Sequence, residues 1–184
     1  MYELTNDPFY ETYMQFDSCF IDYCLAKSEE PYQGESSHRE ALEFFMETLA
    51  EEAIFPWKFD IGKAKGNVID TASFFAVPRL LRKDRHGNNL YDSDYSNPKV
   101  NEKMPYWYAF LEPPIEAGRH SAEEFEMLNN ALFPSGIDSV EVYDWSTDWS
   151  DYFNSGHEWW GASCWTCYDK SLDRYAVILV SFTE

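Results

Sequence analysis

The sequence predicts an α+β fold, a mostly antiparallel sheet of about five strands with about three helices packed on it. Capped, amphipathic stretches dominate the first 54 residues, and a third such stretch starts at Ser121. The last third of the chain holds alternating or wholly apolar runs joined by hairpin-length turns. With 45% hydrophobic residues and 18% aromatics over 184 positions, the chain can bury a core rich in rings.

Taken in order, Asp7 and Pro8 supply an N-cap and first helical position, and Phe9, Tyr13, Phe16, Phe20 and Tyr23 follow at steps of three and four, predicting helix one. The polar run KSEEPYQGESS is a connector. Ser37 with Glu40 reads as a capping box for helix two, which buries Leu42, Phe45, Met46, Leu49 and Ala53 and ends before Pro56. From Val68, VIDTASFFAVPRLLR has strand character interrupted by Pro78, and the Gly-, Asn- and Asp-rich stretch after it reads as a long loop or loose hairpin. PYWYAFLEP is predicted as a strand. Ser121 and Glu124 repeat the capping box for helix three, stopped by Pro134 and Gly136. SVEVYDW alternates as a strand should, and EWWGASCWTCYDKSLDRYAVILVSF reads as two strands joined at DKSLD. The whole, residues 1–184, reads as a single domain with a helical part over about 7–54 and a sheet-rich part over about 68–184.

Charge is unevenly placed. Residues 1–60 carry 14 acids against 3 bases, residues 61–120 carry 7 against 9, and residues 121–184 carry 12 against 2, for a net −19. Such a field repels nucleic acid and anionic membranes and speeds encounter with basic partners. The basic exception, RLLRKDR from Arg79 to Arg85, is expected to pair internally with the acidic helices. No apolar run is long enough to cross a bilayer and the N-terminus lacks the order of a secretory signal, so a cytoplasmic protein with reduced thiols is expected.

The motifs for chemistry fail on spacing. His157-Glu158 would need a second histidine at position 161, which is Gly, to make a zinc-protease helix. Cys164 and Cys167 sit three apart in a predicted strand and so face opposite sides, while Cys19 and Cys24 are five apart on a predicted helix. Neither pair suits joint ligation, and no metal or other cofactor is expected. There is no nucleophile elbow and no phosphate loop. His38 and His120 flank predicted helix caps, with structural or solvated roles.

What stands out is Tyr143 to Asp169, which holds five of the seven tryptophans and five acids without one lysine or arginine. Indole rings anchor interfaces and acids steer cationic partners. The expected site is therefore a binding surface of Trp145, Asp148, Trp149, Asp151, His157, Glu158 and Trp159, which neutralises a basic protein partner in the manner of an antitoxin or immunity protein. The competing reading makes the tryptophans core and DWSTDWSDYF their cover. A small hydrolase using His157 with a nearby acid, and an acidic mimic of nucleic acid, are the readings from other classes.

Overall fold

A computed structural model describes residues 1–16, 20–54, 56–93, 103–114, 119–158 and 160–182. Its centre is a hairpin of two nine-residue strands, β7 (Gly161–Asp169) and β8 (Arg174–Phe182), turned at Lys170–Asp173. Asp169 closes that turn by accepting the backbone N–H of Ser171 at 2.8 Å. Beside β8 lies β2 (Ile21–Lys27), edged by the two-residue β1 (Tyr2–Glu3). Beside β7 lies β6 (Val140–Trp145), edged by β3 (Gly66–Ile69). All pairings are antiparallel, in the order β1-β2-β8-β7-β6-β3, so the fold is α+β.

Both faces of this sheet are covered, and the strand alternation sorts side chains into two cores. Toward one side point Ile21, Tyr23, Leu25, Val142, Trp165, Cys167, Ile178 and Val180. They meet α1 (Pro8–Tyr13), α3 (Thr71–Phe75), α4 (Tyr106–Leu111) and α5 (Ala122–Leu132) through Phe9, Phe74, Phe110, Phe125 and Leu128. Toward the other point Cys24, Tyr143, Trp145, Cys164, Tyr168, Val177 and Leu179, which meet Leu42, Phe45 and Met46 of α2 (Glu35–Glu52). Residues from both ends of the chain share each core. A last short helix, α6 (Asn154–Glu158), packs near the start of β7.

Several elements differ from expectation, each for a local reason. Helix one ends at Tyr13 and its continuation is β2, so the N-terminal part is not wholly helical and supplies two strands of the sheet. Buried on both faces, β2 lacks two-residue alternation, and Phe16, Phe20 and Tyr23 imitate helical spacing by coincidence. Helix two starts three residues early, with Gly34 at φ 68° as its N-cap in place of Ser37, whose hydroxyl instead accepts the Gln33 N–H at 2.9 Å. PYWYAFLEP forms α4, with Tyr106, Trp107, Ala109, Phe110 and Leu111 all buried. The capping box of α5 forms as predicted, the Ser121 N–H reaching Glu124 at 2.7 Å and the Glu124 N–H reaching Ser121 Oγ at 3.2 Å.

VIDTASFFAVPRLLR divides into β3, α3 and β4 (Leu80–Lys83). With β5 (Asn89–Tyr91), β4 makes a separate two-stranded hairpin. The expected internal pairing of RLLRKDR is not what the structure has. Arg79 comes only within 3.9 Å of Asp92, in its own hairpin. No carboxylate among the described residues lies within ion-pair distance of Arg82, Lys83 or Arg85.

Candidate binding surface

The chain leaves the sheet at Trp145 and wraps the α2 side of the molecule. Within Thr147–Asn154, a 3-10 turn at Asp151–Phe153 directs Trp149, Tyr152 and Phe153 inward and leaves Asp148, Asp151 and Asn154 in solvent. The tryptophans expected to face outward are therefore core residues: Trp145 is 0% and Trp149 3% exposed. The cause is the double cover of the sheet, which leaves the β6 ring no open side. Trp145 donates its indole N–H to Thr166 Oγ1 at 2.8 Å, with the Arg39 guanidinium 4.9 Å above its ring. Trp149 donates to the Ser146 carbonyl. Trp159 lies outside the described residues, and Trp160, expected in a strand, sits buried in the turn that follows α6.

The acids fare differently. Asp148, Asp151 and His157 line one open cleft of about 510 Å³ together with Lys58, Asp60 and Lys63. The segment 58–60 is clamped against 149–151 by Asp60 N–H to Trp149 O at 2.9 Å and Asp151 N–H to Lys58 O at 3.0 Å. Asp151 also accepts the Lys58 N–H at 2.7 Å, and Asp60 pairs with Lys63 at 3.1 Å. A hydrogen bond from Ser146 holds the Asp148 carboxyl below its usual range, so it stays charged. Glu158 is exposed but is not among the cleft's lining residues. His157 Nε2 lies 2.7 Å from the Thr147 hydroxyl, and no carboxylate among the described residues hydrogen bonds to that imidazole.

A second group of acids is marked by its spacing alone. Glu43, Glu47 and Glu51 recur every four residues along α2, all exposed. Among the described residues none has a cation within ion-pair distance, whereas Glu35 holds Arg39 at 2.7 Å. Because α2 and the 149–153 segment cover the same face of the sheet, this ridge and the cleft lie on one side of the molecule.

Sequence reasoning missed the buried polar chain beneath the start of α2. The Trp145 indole donates to Thr166 Oγ1, which is 2.8 Å from His38 Nδ1; His38 Nε2 is 3.1 Å from Tyr32 Oη, which donates to Glu141. An indole only donates and a carboxylate only accepts, so the direction of every bond is fixed and neutral His38 carries its proton on Nε2. Burial lowers the His38 pKa to about 4. Burial would raise the Glu141 carboxyl, but hydrogen bonds from Tyr32 and Lys170 outweigh it and hold it low.

This arrangement sets a pH dependence. The unfolded chain takes up a proton on His38 below about pH 6.5, and the folded chain only below about 4. Stability should thus be lost as pH falls from about 6.5 toward 4, by about 3 kcal/mol at most. Urea titrations at several pH values should show this slope in the native protein and its flattening in His38→Gln. Asp22, whose carboxyl is pushed up by burial, acts in the opposite sense and is common to both proteins.

Cys24 and Cys164 are buried in the core under α2 and Cys167 in the other, so the CWTC thiols do face opposite sides. Cys19 lies outside the described residues. No group of three or more His, Cys, Asp and Glu among the described residues could hold a metal ion, and no described helix is long and apolar enough to cross a membrane. Comparison with protein-family models, with curated proteins and with solved structures gives no match.

Proposed function

We propose that this protein is a non-catalytic, intracellular binding protein whose acidic side takes a basic protein partner, neutralising it as an antitoxin or immunity protein does. The observation that carries this reading is the uncompensated row Glu43, Glu47 and Glu51 on the same side of the sheet as Asp148 and Asp151. Like charges one turn apart each cost a helix roughly 0.2–0.5 kcal/mol. A partner's lysines or arginines would remove that cost, and a body at net −19 would steer them in. The contacting residues are Asp148, Asp151, His157, Glu158 and the α2 glutamates. Trp145 and Trp149 support the surface from below, through the core.

The test is to neutralise Asp148, Asp151 and Glu158 together as D148N/D151N/E158Q. Circular dichroism and melting should be nearly unchanged, since all three side chains are exposed and an amide at position 151 keeps an oxygen to accept the Lys58 N–H. Stopped-flow association with a poly-arginine probe at low salt should slow by about tenfold and lose much of its salt dependence. Unchanged rates would remove the cleft from the surface, and loss of folded protein would assign these side chains to structure. Where the partner is itself a nucleic-acid-binding protein, the ridge of α2, with a pitch of about 5.4 Å per turn, serves as the mimic of a charged backbone.

One observation favours a second reading, a small hydrolase. The Thr147 hydroxyl lies 2.7 Å from His157 Nε2, within reach for proton transfer. Its signature would be turnover of an ester substrate that disappears in Thr147→Val and in His157→Gln while binding of poly-arginine persists.

A further inference from the structure

Within an acidic chain the β4–β5 hairpin is a strongly cationic element, and it is apolar as well. Leu80 and Leu81 are 50% and 53% exposed, and among the described residues β4 pairs with β5 alone and Arg82, Lys83 and Arg85 have no carboxylate partner. The ribbon is nevertheless held in place: Tyr91 Oη and Asn89 Nδ2 donate to Glu112 Oε1 at 2.7 and 2.5 Å. A fixed, half-exposed, leucine-bearing edge strand is a surface made for pairing.

Its complement lies beside it. A groove of about 430 Å³ runs along α5, with Phe75, Val77, Phe125 and Ile137 in its apolar lining and Glu123 and Glu126 on its rim. Both glutamates are exposed and neither has a cation within ion-pair distance among the described residues. Neither Leu80 nor Leu81 lines this groove, so the chain does not fill it with its own hairpin.

We infer that the hairpin of one copy seats in the α5 groove of a second copy, and the second hairpin in the first groove, making a two-fold dimer. Charge complementarity selects the occupant: Arg82 and Lys83 meet Glu123 and Glu126 while Leu80 and Leu81 enter the apolar floor. Topology selects a second copy over an unrelated partner. A two-fold interface needs donor and acceptor on the same patch of each subunit. Val77, in the groove wall, is three residues from Leu80 in the hairpin, which limits their Cα separation to about 10 Å. The long-range repulsion of two acidic bodies is screened at 150 mM salt, where the Debye length is about 8 Å, and the close pairs survive. Because α5 and α2 cover opposite faces of the sheet, the dimer leaves the acidic α2 side free, and this inference stands or falls separately from the proposed function.

The test is analytical ultracentrifugation at 150 mM salt over a concentration series, with circular dichroism confirming the fold of each variant. The native chain should show a monomer–dimer equilibrium. Arg82→Glu with Lys83→Glu, and separately Glu123→Lys with Glu126→Lys, should each raise the dimer dissociation constant at least about tenfold. Mixed one to one, the two variants should recover dimer as heterodimer, because each reversed hairpin then faces a reversed groove. A native chain that stays monomeric throughout, variants that dimerise as well as it does, or a mixture that recovers nothing would overturn the inference. So would a monomer whose hairpin binds RNA.

Discussion

Replacing Trp145 with alanine is expected to cost about 3–5 kcal/mol of folding stability, read as a shift of the urea midpoint. Among the described residues the ring is the largest fully buried side chain, and Gly66 lies across the ladder from it. A Cβ at Gly66 would come within 2.7 Å of the Trp145 ring, so the void left by the substitution has no ready filler from that side. Losing the indole also strips Thr166 of its donor and loosens the His38 chain. If Trp145 were an interface anchor instead, the variant would melt with the native protein and fail only in binding. Trp145→Phe separates the contributions: it restores most of the volume without the N–H, and should recover most, not all, of the stability.

Gly156→Ala should cost about 3 kcal/mol, a large effect for one methyl group. The methyl carbon would overlap the Gly161 carbonyl oxygen and sit 2.8 Å from its carbon. Those are backbone atoms at the start of β7, which pairs with both β6 and β8 and cannot yield as a flexible side chain would. The Gly156 N–H to Ser181 Oγ contact at 3.2 Å, which ties α6 to the end of β8, would be pushed apart as well. Neighbouring Ser155→Ala, which meets no such obstacle, is the control, and equal melting of the two variants would show that α6 can move aside.

The parts of the fold legible in sequence were those with local determinants. Asp7 and Ser121 set caps through their own hydrogen bonds, and the DKSLD turn closes through Asp169 and a residue, Asp173, at φ 49°. What escaped was decided at a distance. Cys24, Leu25 and Ala26 are buried in succession because β2 lies between two strands and two layers, and a run buried on all sides has no period to read. The same holds for α4, whose aromatic residues favour strands in isolation but fill the core from a helix. The candidate surface divided in the same way. Asp148, Asp151 and His157 were brought to one cleft, whereas Trp145 and Trp149 were misread because indoles serve interface and core alike, and only the second layer over the sheet decides between them.

In β7 all nine positions are buried, and in β8 the first seven are. Apart from Asp169 and Arg174, which already carry charges at the turn end of the hairpin, no residue along these sixteen positions can be exchanged for a charged one without forcing that charge into a packed layer, whichever way it points. Charged substitutions are therefore expected to be tolerated at exposed positions, on the outer row of α2, the rim of the cleft and the β4–β5 ribbon. The middle of the sheet is the part of the molecule least able to accept a change of charge.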